Sequence, residues 1–476
     1  MTVLIRNAEI AGRAGLDTRI DGSTITDVGR GLRWQRGDEV LEAGGGALLP
    51  GFHDHHVHLL GVAAALSSIE VGPRDVRDRE ALTRRLRQAA LASPAGAWLR
   101  AVGYHESVAG MLDRHALDAM VGDRPLRVQH RSGVLWVLNS AALERTGLAG
   151  SSDRAGVERD EHGCPTGRLW DLDESLRGVL PAEPDLAHAL GRVSANLAAL
   201  GVTGFTDATP MREPDLAFLA AMLEAARVPQ SVYAMSRPKL PPSDAWGLAL
   251  GPVKLRLDDA ALPGLDELVA LIRSSHDEGR AVAIHCVGRV QFVLSLAALE
   301  SAGPPPRGSG LRDRLEHASI VPHELLEMAH RLGLVIVSQP QLVCERGDQY
   351  LEDVEVDDLP NLYPLRSLLC AGVPVAFGSD APYATPDPWA AIRGAMTRRT
   401  DSGRTVGASE RLGFRQALRG LLGWPHRPDL PRRIARNARA DLVLLRAPLE
   451  EVARCPMPEA VAATITGGRL VYRCAS

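Results

Sequence analysis

The stretch Pro50-Gly51-Phe52-His53-Asp54-His55-His56-Val57-His58 places four histidines within six residues. In an extended strand, side chains two residues apart point to the same face and lie roughly 6.5–7 Å apart along the backbone. That separation suits two ligands of one ion, so the pattern predicts that His56 and His58 form a paired metal site. The alternative is a solvated, His-rich loop, and residues further along the chain are needed to choose between the two.

The composition limits the classes of protein to which this chain can belong. With 476 residues, of which 45% are hydrophobic, the chain can bury one large core and an appended module. The formal net charge is −4 and the arginines are scattered, so we expect no nucleic-acid partner. Six cysteines lie far apart without a Cys-x-x-Cys pair, which is typical of a cytoplasmic protein. No apolar run reaches about 18 residues, so we expect neither export nor a membrane span.

The two ends of the chain show the same pattern of short β-like runs separated by turn residues. Val3-Leu4-Ile5 near the start and Leu442-Val443-Leu444 near the end are examples. Short segments of this kind cannot each bury a core, so we expect the two ends to pair with one another. The pattern predicts a composite small β domain, a β-sandwich formed by residues 1–47 and 430–476.

Residues 48–429 alternate strand and helix patterns, which predicts an α/β fold with eight βα units closed into a (β/α)8 TIM barrel. Catalytic residues in this fold lie at the carboxyl ends of the strands. Residues 61–199 follow the first strand and have strand and helix patterns of their own, so we interpret them as an insertion that caps the active site. The eight predicted barrel strands are residues 48–55, 202–207, 230–234, 253–257, 281–285, 314–317, 334–338 and 373–378.

A lysine stands within one of these buried strands. Lys254 lies in the fourth predicted strand, in a chain that has only one other lysine, Lys239. Burial lowers the pKa of a lysine, and a neutral amine can react with carbon dioxide to form a carbamate that bridges two ions. The alternative is a lysine that extends toward solvent or forms a salt bridge with Asp258 or Asp259.

Three further candidates stand at the ends of predicted strands. His285 and His317 end consecutive strands, and Asp380 follows the eighth. At that position Asp380 would contact a metal ion and accept a proton from an attacking water. The alternatives are hydrogen-bonded structural histidines and a helix cap or turn at Asp380, but the paired histidines of the first strand favour a metal site.

These motifs together resemble the metal-dependent amidohydrolase superfamily, and most closely its branch of N-substituted formamide deformylase-like proteins. The resemblance extends over nearly the whole chain and is specific for the superfamily but not for a substrate. It is carried by Pro50-Gly51-Phe52-x-Asp54-x-His56-x-His58, Lys254, His285 with Gly288, Glu316-His317-Ala318, Ser338-Gln339-Pro340, Gly378-Ser379-Asp380-Ala381-Pro382, Asn139-Ser140-x-Ala142-Leu143, Pro165-Thr166-Gly167-Arg168 and Asn437-Ala438-Arg439-Ala440-Asp441.

The resemblance implies a distorted (β/α)8 barrel that holds one or two divalent ions, usually zinc. It implies that His56 and His58 hold the more buried ion with Asp380. A carboxylated Lys254 would bridge to a second ion, which the resemblance assigns to His285 and His317. Two departures from the branch concern this chain: residues 255–259 lack its usual Asp-Gly after the lysine, and Val134 replaces a common histidine of the insertion.

The predicted reaction is hydrolysis of a non-peptide carbon–nitrogen bond, in an amide, cyclic amide or formamide, by a metal-activated water. The first alternative is a mononuclear deaminase of a ring amidine of the purine, pyrimidine or pterin type. The second is a metal-free, non-enzymatic barrel. We expect a small-molecule substrate and a homodimer. The candidate substrate-binding residues are Tyr104, His130, Trp136, Gln339 and Cys344.

Overall fold

The computed structural model describes residues 2–148, 150, 154–172, 176, 179–180, 185–240, 248–259, 261–306 and 308–474. These residues form two compact units. The first unit contains the described residues up to Leu59 and from Leu190 onward, and the second contains those from Leu60 to Ala189. The helix Leu186–Ala199, which the predicted insertion included, therefore belongs mostly to the first unit.

The first unit contains eight parallel strands in a single sheet, ordered as in the sequence. Its two edges approach each other where the Asp380 N–H donates to the His56 carbonyl at 2.7 Å and the His58 N–H donates to the Ala381 carbonyl at 2.9 Å. The (β/α)8 barrel predicted from the sequence is confirmed. The barrel strands are Phe52–Val57, Val202–Met211, Ser231–Ser236, Ala249–Leu255, Val282–Cys286, Arg314–His317, Val335–Ser338 and Val375–Phe377.

Helices follow or precede these strands along the chain, and apolar side chains fill the space between helices and sheet. Val282 and Ile284 on the fifth strand share one buried cluster with Phe292 and Leu296 of the following helix. The α-helices of this unit are Leu186–Ala199, Glu213–Ala225, Leu265–Asp277, Arg289–Ala302, Leu326–Arg331, Gln341–Asp353, Leu365–Cys370, Pro388–Thr397, Phe414–Arg419 and Leu449–Val452, with a further helix that starts at Leu59 and ends at Ala65 across the boundary between the units. Short 3-10 helices cover His323–Leu325, Leu359–Asn361, Ala408–Glu410 and Pro458–Ala460.

The first predicted barrel strand, residues 48–55, is divided in the structure. Leu48–Pro50 pairs with Leu442–Leu445 outside the barrel, and the barrel strand begins at Phe52. The division falls at Gly51, where a Cβ would lie 2.1 Å from the Thr203 Cγ2 of the neighbouring strand. A side chain at residue 51 would therefore clash with that of Thr203, and a glycine is needed at this crossing point.

Both ends of the chain contribute to a small β domain, as predicted. One sheet contains Thr2–Ile10, Arg13–Asp21, Thr24–Gly29 and Asp38–Glu42, and the other contains Leu48–Pro50, Leu442–Leu445, Val461–Thr466 and Arg469–Arg473. Side chains from both sheets meet in one core, for example Ile5 and Ile20 with Leu442 and Ile465. A hairpin of Gly423–Trp424 and Arg427–Pro431 precedes the last three strands.

The second unit is built on a six-stranded sheet of its own. Its core includes Leu82 and Leu86 of one helix, packed with Leu99, Leu126 and Val128 of the sheet. The strands, in spatial order, are Val157–Arg159, Pro165–Trp170, Leu135–Leu138, Leu126–His130, Leu99–Tyr104 and Ile69–Glu70. Its helices include Arg79–Ala92, Glu106–Ala109, Arg114–Val121 and Ser140–Thr146. Of the helices in the described ranges, none combines the length and the apolar character needed to cross a bilayer.

Candidate metal centre and active site

Six side chains predicted from the sequence lie at or near the carboxyl ends of barrel strands. His56 is on the first strand, and His58 directly follows it. The other four are Lys254 on the fourth strand, His285 on the fifth, His317 at the end of the sixth and Asp380 three residues after the eighth. The ring centroid of His317 lies 4.8 Å from that of His56 and 4.7 Å from that of His285, so the structure brings these residues together.

His56, His58 and Asp380 form the tightest group among them. The Nε2 atoms of His56 and His58 each lie 3.5 Å from the same carboxylate oxygen, Asp380 Oδ1. The Nδ1 atoms point elsewhere: that of His56 contacts Glu316, and that of His58 lies 3.0 Å from Thr209 Oγ1. One nitrogen of each ring is therefore engaged, and the other faces Asp380.

A buried ion pair stands behind His56. The carboxylate of Glu316 accepts a hydrogen bond from His56 Nδ1, and it also receives the guanidinium of Arg314. Glu316 and Arg314 are two residues apart on the sixth strand, so their side chains point to the same face. Burial by itself raises the pKa of Glu316, but Arg314 and His56 lower it well below its usual range. Glu316 is therefore a carboxylate that accepts the Nδ1 proton of His56.

The backbone around these residues has conformations that fix the side chains. His317 and Asp380 have φ values of 69° and 56°, in the left-handed region that non-glycine residues seldom adopt. Such conformations persist only where surrounding contacts hold them, and they occur often in active sites. Gly378 has a different role, because a Cβ there would lie 2.4 Å from the Cβ of His56. The eighth strand can pass the first so closely only because residue 378 is a glycine.

A second buried carboxylate holds the chain segments of the site together. Asp54 Oδ1 accepts hydrogen bonds from the backbone N–H of His56 at 3.1 Å and from that of Ser379 at 2.9 Å. Burial raises the pKa of Asp54 to about 6, although the hydrogen bonds from Ser379 and His56 oppose the change. Asp54 therefore links the first strand to the segment that carries Asp380.

Lys254 and His285 lie in the same buried environment. Burial lowers the pKa of Lys254 to about 8, while the nearby carboxylates of Glu316 and Asp380 oppose that change. The pKa of His285 is also well below its usual value, first because of burial and then because of His317 and Lys254. Both side chains are thus shifted toward their neutral forms, which are the forms that a metal or carbon dioxide requires.

These residues fit a divalent cation. Burial and Lys254 lower the pKa of His56 to about 3, so its ring is neutral near pH 7. Because Glu316 accepts the Nδ1 proton, the lone pair of Nε2 faces the anionic oxygen of Asp380, an arrangement that a cation between them would stabilise. Ligand atoms about 3.3 Å apart are expected around a tetrahedral zinc ion, and both separations to Asp380 Oδ1 are 3.5 Å.

Comparison with known proteins identifies the family of this chain. The model of the Amidohydrolase family matches residues 39–472. The chain belongs to the amidohydrolase family. The resemblance to the metal-dependent amidohydrolase superfamily is therefore confirmed, as is the prediction of an enzyme that hydrolyses carbon–nitrogen bonds. The alternative of a non-enzymatic barrel does not hold.

Two relatives and one solved structure illustrate the similarity of this amidohydrolase to other proteins. It is 26% identical over 457 residues to YtcJ of Bacillus subtilis, whose name describes a candidate amidohydrolase, with 86% of this chain and 85% of that protein covered. It is 25% identical over 465 residues to the N-substituted formamide deformylase of Arthrobacter pascens, with 88% and 84% covered. An uncharacterized metal-dependent hydrolase from Pyrococcus furiosus has the same fold, with a TM-score of 0.71 and 20% identity over 94% of this chain and 99% of that one.

The five predicted substrate-binding residues of the amidohydrolase are divided between the two units. Gln339 and Cys344 belong to the first unit. Gln339 is fully buried, and its Oε1 lies 2.9 Å from His317 Nδ1, so it supports an imidazole of the site. Cys344 lies on the helix Gln341–Asp353. Burial raises the pKa of its thiol, and its hydrogen-bond partner Thr397 is not one of the six site residues. This contact joins Cys344 to the helix Pro388–Thr397, and its role in substrate binding stays a prediction.

Tyr104, His130 and Trp136 belong to the second unit. Tyr104 is part of the hydrophobic core of that unit and donates its hydroxyl to the Gly110 carbonyl. The guanidinium carbons of Arg100 and Arg127 lie 5.7 and 5.2 Å from the ring centroid of Trp136, within the range of cation–π contacts. His130 faces a carboxylate of the same unit.

Four supporting residues were not predicted as site residues. The imidazoles of His58 and His56 contact Thr209 and Glu316, and Arg314 is paired with Glu316. Asp54 links the first strand to the segment that follows the eighth. Two signals in the sequence point to three of them: Asp54 and Glu316 lie within the motifs of the resemblance, and Arg314 and Glu316 alternate onto the same face of a buried strand, where charges are expected to be paired. Nothing in the sequence distinguishes Thr209 from other strand threonines.

Proposed function

We propose that this amidohydrolase uses His56, His58 and Asp380 to hold a divalent ion, of which zinc is the first candidate, and that it hydrolyses an amide-type bond of a small molecule. The proposal is carried by one observation: two imidazole nitrogens face the same carboxylate oxygen, each at 3.5 Å. All three residues lie where this fold carries its chemistry, at the carboxyl ends of strands. Imidazole and carboxylate are also the ligand types found in catalytic zinc sites.

The ion and Asp380 would have different roles in the reaction. When bound, a divalent ion lowers the pKa of water to about 7 and polarises a carbonyl oxygen. Asp380 accepts the proton of the attacking water at a carboxylate oxygen and delivers it to the nitrogen that leaves. Neighbouring imidazoles, first that of His317, lower the pKa of Asp380 well below its usual range despite its burial, so it begins the reaction as the base.

The same site has the residues for a second ion. His285 and His317 stand next to the first group, and Lys254 acts electrostatically on both. A lysine with a pKa of about 8 has a substantial neutral fraction near neutral pH, and the neutral amine is the form that adds carbon dioxide. We propose that the neutral Lys254 amine adds carbon dioxide and releases a proton to form a carbamate, whose two oxygen atoms would serve as ligands for the two ions.

The substrate class is proposed from the relative with the more informative name. The Arthrobacter pascens protein is an N-substituted formamide deformylase, and the two chains cover more than four-fifths of each other. We propose N-substituted formamides as the first substrates to test, followed by other amides and cyclic amides. Formate and an amine would be the products of formamide hydrolysis.

The experiment that tests the proposal is Asp380→Asn. Loss of a positioned acid and base is expected to lower kcat by about 10²–10⁴-fold. The control is Asp357→Asn, which changes an exposed aspartate in the turn between the helix Gln341–Asp353 and the 3-10 helix Leu359–Asn361. Elemental analysis should show that Asp380→Asn retains most of its metal, because the two histidines remain. Unchanged kcat in Asp380→Asn would remove this residue from the proposed role.

A mononuclear deaminase of a ring amidine is the second candidate. Among the described residues of the barrel, only His56, His58 and Asp380 place a ligand atom each within 4.8 Å of the other two, and such a compact group favours one ion. Release of ammonia from purines, pyrimidines or pterins, without activity on formamides, would favour this reaction. Elemental analysis gives an independent measure, because one ion per chain supports the mononuclear site and two support the bridged one.

A further inference from the structure

A second group of metal-ligating residues lies in the second unit, outside the barrel. His105 follows the strand Leu99–Tyr104, and His130 ends the adjacent parallel strand. The Nε2 atoms of both rings face one carboxylate oxygen, Glu106 Oε2, at 3.4 Å from His105 and 3.0 Å from His130. Their ring centroids are 5.5 Å apart. One ligand atom from each of the three residues lies within 4.8 Å of the other two, so a single ion can reach all of them.

Both rings are oriented in the same way by a serine two residues further along the chain. His105 Nδ1 lies 2.9 Å from Ser107 Oγ, and His130 Nδ1 lies 2.7 Å from Ser132 Oγ. Histidines that bind metal through one nitrogen usually donate the other N–H to a fixed oxygen partner. The repeated His-x-Ser arrangement supplies that partner to both rings and directs both Nε2 atoms to the same point.

The protons of the cluster allow two states. Each Nδ1 also lies 3.1–3.2 Å from the backbone N–H of its serine, so in one state Nδ1 accepts that hydrogen and the Nε2–H donates to Glu106. In the other state the proton is on Nδ1 and is donated to the serine hydroxyl. The lone pair of Nε2 then faces an anionic oxygen, and a cation is needed between them. Metal binding through Nε2 thus requires the proton of each ring to lie on Nδ1, and the backbone N–H of each serine then loses Nδ1 as its acceptor.

The carboxylate and the exposure of the cluster also suit an ion from solution. Glu106 supplies a carboxylate oxygen, Oε2, that both Nε2 atoms approach. The Glu106 side chain is 48% exposed, whereas those of His105 and His130 are 9% and 17% exposed. The rings are therefore held by the protein, and the half-exposed carboxylate lets an ion reach the cluster from solution.

We propose that His105, Glu106 and His130 form a metal site, separate from the barrel centre, that binds Zn²⁺, Ni²⁺ or Cu²⁺. Imidazole ligands favour these ions, whereas Mg²⁺ and Ca²⁺ prefer sites made of oxygen atoms. Separations of 3.0 and 3.4 Å between ligand atoms are near the value of about 3.3 Å expected for a tetrahedral ion with bonds of about 2.0–2.1 Å. An ion here would link the ends of two adjacent strands of the second unit.

The test measures Zn²⁺ binding to the full chain by equilibrium dialysis, with the barrel centre already loaded. Wild type is expected to bind one more ion per chain than His130→Gln. The matched control is His162→Gln, because His162 also neighbours a glutamate in this unit, at 3.6 Å from Glu161, but both side chains are more than three-quarters exposed. His162→Gln should bind Zn²⁺ as wild type does. If His130→Gln binds the same number of ions as wild type, with the same affinity, the proposal is wrong.

Two further variants make the result independent of folding defects. Glu106→Gln changes a half-exposed residue and keeps an acceptor for both rings. It is expected to lower the affinity for the extra ion by at least about tenfold. The double variant Ser107→Ala with Ser132→Ala leaves all three ligands in place and is expected to lower the affinity for the extra ion by about 10–100-fold. Folded Glu106→Gln protein that retains the extra ion at unchanged affinity would overturn the proposal, even if His130→Gln could not be purified.

Discussion

The barrel group of His56, His58 and Asp380 and the second-unit group of His105, Glu106 and His130 each contain two imidazoles and one carboxylate. In each, two Nε2 atoms face one carboxylate oxygen, at 3.5 Å in the barrel and at 3.0–3.4 Å in the second unit. They differ in burial: the side chain of Asp380 is 14% exposed, and that of Glu106 is 48% exposed.

The support behind the imidazoles differs even more. In the barrel, a buried carboxylate that is paired with Arg314 holds His56, and the backbone at His317 and Asp380 has unfavourable φ values. In the second unit, the Nδ1 atom of each ring contacts the hydroxyl of a serine two residues further along the chain. The difference teaches that ligand types and spacing are not enough to identify a catalytic site. A catalytic site also has rigid, buried support that fixes its ligands before the substrate arrives.

The largest expected effect comes from removing the buried support of the barrel group. Glu316→Gln leaves the guanidinium of Arg314 without its charged partner in the protein interior, which is expected to lower the free energy of unfolding by about 3–5 kcal/mol. Glu106→Gln removes a half-exposed carboxylate and should lower it by no more than about 1 kcal/mol. Chemical denaturation of both variants in the same buffer measures the two values.

A double variant separates the loss of the pair from the loss of Glu316 itself. Replacing Arg314 by Met together with Glu316 by Leu removes both buried charges, and such replacements are often neutral. We expect the double variant to regain most of the stability but not the orientation of His56, so its activity should remain low. Equal destabilisation by Glu316→Gln and Glu106→Gln would show that the two groups are supported to the same degree.

The next effect concerns backbone packing, which fixes His56 in the barrel group. Gly378→Ala would place a Cβ 2.4 Å from the Cβ of His56 and 2.6 Å from its backbone nitrogen. Overpacking of this kind typically costs about 1–3 kcal/mol, and the shift of His56 should lower kcat by at least about tenfold. Thermal unfolding and steady-state kinetics measure the two effects.

The matched control for this variant is Gly264→Ala. Gly264 precedes the helix Leu265–Asp277, its φ is −63°, and a Cβ there would have no heavy atom within 4 Å. The control variant should therefore be close to wild type in both measurements. If Gly378→Ala behaved like Gly264→Ala, the close approach of the first and eighth strands would have no role in positioning His56.

The sequence was sufficient to predict the barrel and the six residues at its strand ends. Each of the eight predicted strands has a counterpart, because buried parallel strands appear as apolar runs between helical patterns. The six residues could be found because strand ends converge in this fold whatever the lengths of the connections. The start of the first strand could not be found in this way, because Leu48 and Phe52 are both apolar and belong to different sheets.

The contacts that support the site residues could not be predicted from the sequence, for a different reason. Glu316 and His56 are 260 residues apart, and no local pattern indicates that the carboxylate of one accepts the Nδ1 proton of the other. Gln339 was predicted to contact substrate, but the structure places its Oε1 next to His317. The pairing of His105 with His130 likewise depends on two strands lying side by side, which periodicity alone does not specify.

The smallest expected effect tests whether the hydroxyl partners act locally. Thr209→Val removes the oxygen next to His58 Nδ1, and Ser132→Ala removes the oxygen next to His130 Nδ1. Each change is expected to lower the affinity of its own group for the ion by about tenfold, because an imidazole without its fixed partner is less well oriented. The two histidine side chains are 22% and 17% exposed, so water can replace part of either contact and keep the loss small.

The two variants act as controls for each other when Zn²⁺ affinity and activity are measured on both. Thr209→Val should lower activity and leave the ion of the second unit unchanged, whereas Ser132→Ala should do the reverse. A loss at both groups from either single change would mean that the ions communicate. Such a result would contradict the view that each imidazole depends on the hydroxyl beside it, since neither hydroxyl is bonded to a ligand of the other group in the described part of the chain.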